Sequence, residues 1–171
     1  MNNQNAPSPK NTLNVKYTSA RLNLLLMIIM TAVNLLMLCL KNGTMLLFSA
    51  TVPYYLTVFG MGTEVTMMFV ITLCIAIVIL LCYLLCYILS KKHYGWMIAA
   101  LVMFTLDTFA MLGLYILAKD VSGIMDAAMH AWVIFYLVTG VISGMKLKSL
   151  PDEKPQPEIF ETTAEETTEE E

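Results

Sequence analysis

The chain has 171 residues, 58% of them hydrophobic and only 13% charged, with a mean hydropathy of +0.70. A soluble domain carries about a quarter charged residues, so composition excludes an ordinary soluble fold. The net charge of −3 hides a segregation: residues 158–171 hold seven glutamates and neither lysine nor arginine, and no clustered basic stretch of the kind a nucleic-acid partner requires is present.

Residues 1–20 are rich in Asn, contain Pro7 and Pro9 and lack an apolar period, which predicts a disordered cytoplasmic tail. A transmembrane domain over 21–146 follows. Its first apolar run, 22–40, stands behind Lys10, Lys16 and Arg21. It is long for a signal peptide and no small-residue cleavage site follows it, so it reads as an uncleaved anchor. After the turn signal Asn42-Gly43, residues 45–59 are apolar and aromatic, with Phe48, Tyr54, Tyr55 and Phe59, but too short to span and interrupted by Pro53. An interfacial or shallow re-entrant segment is predicted there. A re-entrant path facing lipid is excluded, because its backbone groups would find no partners.

A nearly featureless second span is predicted over 66–89, then a basic turn through Lys91, Lys92 and His93. The third and fourth spans, 96–118 and 121–145, are joined at Lys119-Asp120 and form a helical hairpin. Residues 147–171 are predicted to be a disordered acidic cytoplasmic tail. The fold class is therefore all-α: a polytopic membrane protein of four transmembrane helices, with a short interfacial segment between the first two.

Lys10, Lys16, Arg21, Lys91, Lys92, Lys146, Lys148 and Lys154 fall on one side of that arrangement, and only Lys41 and Lys119 on the other. The positive-inside bias places both termini in the cytoplasm. The four cysteines, Cys39, Cys74, Cys82 and Cys86, lie within or at the edge of apolar runs and read as packing residues, with neither a disulfide framework nor a metal set among them. No cofactor is expected.

The stretches Phe48-Ser49-Ala50-Thr51-Val52-Pro53-Tyr54-Tyr55-Leu56, His130-Ala131-Trp132-Val133 and Met145-Lys146-Leu147-Lys148-Ser149-Leu150-Pro151 resemble those of an uncharacterised family of small four-span membrane proteins from Firmicutes-type bacteria. The resemblance implies a bacterial inner membrane. It brings no substrate, reaction or catalytic residue with it.

Two ionisable residues sit where the bilayer would be, Asp107 in the third span and His130 in the fourth. An aspartate at a helix centre costs roughly 2.5–3.5 kcal/mol on the insertion scale. Its helical neighbours Ala100, Met103, Phe104, Ala110, Met111 and Leu114 offer no charge, so its partner must come from elsewhere. Reflecting the hairpin about its turn sets Asp107 opposite Trp132, two residues past His130, a depth offset of roughly 3 Å. Asp126 lies one turn before His130, and Asn34 in the first span can join from another side. The candidate polar cluster is thus Asp107, His130, Asp126 and Asn34. It reads either as a hydrogen-bonded cluster that fixes helix packing or as a proton or ion pathway.

Gly140 and Gly144 form a GxxxG, and Gly123, Ala127 and Ala131 a second row of small residues in the fourth span. Such rows let helices approach closely, with another helix of the chain or a second copy as the partner. No nucleophile with a base, phosphate loop or metal-ligand set stands out. The expected function is a non-enzymatic packing or partner subunit in contact with lipid and with another copy or another membrane protein. The alternative is a small proton- or ion-coupled transporter or channel built on Asp107 and His130.

Overall fold

The computed structural model describes residues 8–42, 45–63, 65–119 and 123–150. Among them the elements are five helices in the order α1 (Pro9–Cys39), α2 (Thr51–Gly62), α3 (Thr66–Leu89), α4 (Gly95–Ala118) and α5 (Ile124–Ser149). All but α2 are 24 to 31 residues long with strongly apolar windows. At about 1.5 Å per residue each exceeds the roughly 30 Å of a hydrocarbon core. The chain is an all-α polytopic protein with four helices long and apolar enough to cross a membrane.

The first helix begins well before residue 22. Ser8 accepts the Asn11 amide at 3.2 Å and Pro9 occupies the first helical position, where its fixed φ and missing N–H suit a helix start. The extra turns are held by tertiary bonds. Tyr17 donates to the Ser90 carbonyl at 2.6 Å, and Arg21 donates to the Ser90 hydroxyl at 3.1 Å while its guanidinium stacks on the Tyr87 ring. The disordered tail expected through residue 20 is therefore helical from Pro9, because a good cap and three contacts with Ser90 and Tyr87 outweigh an Asn-rich composition. At the other end α5 continues to Ser149, past the expected limit of 145 and into the expected tail. Lys146 and Lys148 in its last turn complement the helix dipole. The remainder of both predicted tails lies outside the described residues.

Helix α5 packs chiefly along α1, around Leu24, Met27, Ile28, Val133 and Leu137, with Met97, Ala100 and Phe104 of α4 and Tyr83 and Cys86 of α3 closing the core. The GxxxG row serves this seam. A Cβ at Gly140 would lie 2.5 Å from the Ala20 methyl, and one at Gly144 2.7 Å from Tyr94 Cβ and 3.0 Å from the Tyr17 ring. Gly123 is covered by the Tyr115 ring. Ala127 is half-buried and Ala131 exposed, so the second row makes no continuous seam.

Of the two courses expected for residues 45–59, interfacial or shallow re-entrant, the chain takes the re-entrant one and goes deep into the bundle. Beyond the end of α1 the chain doubles back. Asn34 holds Leu46, Thr31 holds the Ala50 amide one turn deeper, and Asp107, halfway along α4, holds Thr51 and Val52. Thr31 precedes the end of α1 by eight residues and Asp107 that of α4 by eleven, so the amino end of α2 lies roughly 12–16 Å below the helix ends. Helix α2 then climbs back out against α3, its Gly60 so close to Thr72 that a side chain there would strike the Thr72 hydroxyl. The bend before α2 puts Phe48 at φ 72°, a left-handed backbone on a non-glycine residue, with its ring against the core. Burial makes this route tolerable: Ser49, Ala50 and Thr51 face protein, not lipid.

Candidate intramembrane polar site

A helix beginning inside a bilayer has backbone N–H groups with no intrahelical partner and no water to receive them. In α2 each of the first four positions has a solution. The residue before the helix, Ala50, has no capping side chain, and its amide is taken by the Thr31 hydroxyl at 2.8 Å. The amides of Thr51 and Val52 donate to the two oxygens of Asp107 at 2.9 and 2.8 Å. Pro53 has no N–H to satisfy. Asp107 is thus a helix cap delivered from another helix, a carboxylate at the positive end of the α2 dipole, where charge-assisted bonds are strongest.

His130 stands beside this cap. Its ring stacks on Phe104 with centroids 4.7 Å apart and an interplanar angle of 23°. Nε2 is 3.1 Å from the Thr51 hydroxyl, and Nδ1 is 3.0 Å from the Thr108 hydroxyl and 4.0 Å from Asp107 Oδ2. Thr108 donates its own proton to the Phe104 carbonyl at 2.8 Å, so its oxygen is free to accept from Nδ1–H. His130 and Asp107 are therefore neighbours whose stronger partners lie elsewhere. They share Thr51: one holds its hydroxyl, the other its amide.

Asn34 does not touch Asp107 or His130. Its amide donates to the Leu46 carbonyl at 2.9 Å and to Ser49 Oγ at 2.7 Å, and its oxygen accepts the Leu46 N–H at 2.8 Å. It joins the cluster through the re-entrant segment. Asp126, in the first turn of α5, lies one turn further out than His130. Its Oδ2 accepts from Tyr115 at 3.1 Å, while its buried Oδ1 has no partner among the described residues. The four residues singled out from the sequence thus form two holds on the re-entrant segment, by Asn34 and by Asp107 with His130, and an outer pair made by Asp126 with Tyr115, which also hydrogen-bonds Tyr55 of α2.

Thr31, Ser49, Thr51 and Thr108 complete the site and escaped the sequence reading. Thr51 stands two residues before Pro53, the spacing of a helix that starts rather than breaks, since proline is tolerated in the first turn. Thr31 and Thr108 left no signal, because a threonine in a span ordinarily bonds its own backbone, as both also do. Among the described residues no three His, Cys, Asp or Glu side chains converge as a metal set. Compared with protein-family models, curated proteins and solved structures, the chain matches none.

Proposed function

We propose that the protein is a non-enzymatic subunit of a bacterial cytoplasmic membrane, with both termini in the cytoplasm, working through its lipid- and protein-facing surfaces. The observation carrying this reading is that both oxygens of Asp107 are engaged by the Thr51 and Val52 amides. An ionisable residue inside a membrane is by default a pathway candidate, but this one has a full-time structural task. The orientation is supported by the basic residues: Arg21, Lys91, Lys92 and Lys148 gather at the end where α3 meets α4, with Arg21 bonded to Ser90 and Lys148 over Tyr94. Reconstitution into pH-loaded liposomes tests the reading. Proton leak no faster than in protein-free vesicles supports it, and a leak abolished by Asp107→Asn overturns it.

A second reading has one observation in its favour. The amino end of a broken helix, placed at an ionisable pair near the bilayer middle, is the arrangement that secondary transporters use at their binding sites. On this reading His130, 4.0 Å from Asp107, exchanges a proton with the cap and loosens α2. The same liposomes report it as proton-linked flux lost in His130→Leu.

A further inference from the structure

Where α3 gives way to α4, the bundle has a cavity of about 510 Å³ whose polar lining comes from Lys91, Lys92, His93 and Lys148, with Tyr17 and Tyr94 among its walls. Among the described residues no carboxylate lines it. Lys91 and Lys92 form no ion pair among the described residues, and the Lys148 ammonium is drawn in over the Tyr94 ring at 5.7 Å. Gly144 belongs to the lining too, and its missing side chain is what lets Tyr94 and the Tyr17 ring close in beside it. One wall is firm: Tyr17 is fastened to the Ser90 carbonyl at 2.6 Å, and buried Ser90 is also held by Arg21.

We infer that this cavity binds the phosphodiester headgroup of an anionic phospholipid. Its level in the bilayer supplies the argument. It lies between the end of α3 at Leu89 and the start of α4 at Gly95, where two apolar spans leave the hydrocarbon and phosphates are concentrated. Basic pockets between spans at that level are suited to anionic headgroups. Tyrosines at the same height match the aromatic belt of a membrane boundary, and half-buried Leu147 offers apolar contact to the glycerol end. A free anion would meet the same charges without the surrounding reservoir of lipid. The chain's own seven glutamates in 158–171 are the competing occupant.

The test uses the full chain in phosphatidylcholine bilayers containing spin-labelled phosphatidylglycerol, read as the immobilised fraction of the label. Wild type should prefer phosphatidylglycerol to labelled phosphatidylcholine. Each of Lys91→Gln, Lys92→Gln and Lys148→Gln should lower that preference, by up to about fivefold for each charge removed, with an unchanged thermal midpoint. Lys146→Gln removes the same charge from a neighbouring residue outside the lining and should have less than half the effect of Lys148→Gln. Equal losses from Lys146 and Lys148 would mean general surface attraction and overturn the site. So would displacement of the label by inorganic phosphate, which would identify a free-anion site. A preference that emerges only after the seven tail glutamates are changed to glutamine would make the tail the occupant and overturn it as well.

Discussion

The Asp107 carboxylate stands 2.9 Å from the amide of Thr51, a residue 56 positions earlier in the chain. A helix start buried in the bundle is thereby completed by a side chain from α4. Asp107→Ala strands two buried N–H groups, each worth about 1–3 kcal/mol when unsatisfied, so stability should fall by roughly 2–6 kcal/mol. Asp107→Asn keeps one acceptor and should lose about half as much. Reversible unfolding in mixed micelles measures both, and equal losses would show that the amides are not the partners that matter.

Replacing Asp107 and His130 together with leucines should not restore stability. For an isolated ion pair, apolar replacement of both partners recovers much of the single-mutant loss. Here the groups bound to Asp107 are backbone amides that remain after the change, so the double variant should be no more stable than Asp107→Leu. A double-mutant cycle decides the matter, and recovery would mean that the 4.0 Å pairing dominates.

The re-entrant segment should be closed to water-borne reagents. In a background without the four native cysteines, Ser49→Cys should react with a membrane-impermeant maleimide far more slowly than Leu47→Cys, which sits on an exposed position. Adding Asn34→Leu, which removes the two hydrogen bonds to Leu46 that remain once Ser49 is replaced, should speed labelling at residue 49. Unchanged protection would locate the anchor elsewhere.

Gly140→Leu should destabilise the monomer by about 1–3 kcal/mol through overpacking, since Ala20 of the same chain occupies the space. Gly140→Ala should do so by less. If the main effect is instead loss of a crosslinked dimer with monomer stability intact, the seam belongs to two copies.

The spans were legible because apolar runs of span length leave one reading: the third element, expected over 66–89, is Thr66–Leu89. Asp107 and His130 stood out because charge inside such runs is costly. What could not be read was direction. Nothing local to residues 45–59 says whether an apolar stretch lies along the surface or dives, because the answer depends on acceptors at Thr31, Asn34 and Asp107 that meet only in the folded bundle. Pro53 misled for a related reason, being a helix breaker in an interior and a helix starter in a first turn. The length of α1 likewise rests on Ser90, far along the chain, and on a cap at Ser8.

The shared hold on Thr51 also sets an order of assembly. Residues 46–52 leave the ribosome long before Asp107 of α4 and His130 of α5 exist. Until α4 has been inserted, the amides of Thr51 and Val52 have no acceptor at depth, and the Thr51 hydroxyl waits further for α5; until then the segment is best accommodated in the wet boundary beside α1. Seating it is then a late step of biogenesis, made after the hairpin of α4 and α5 has entered.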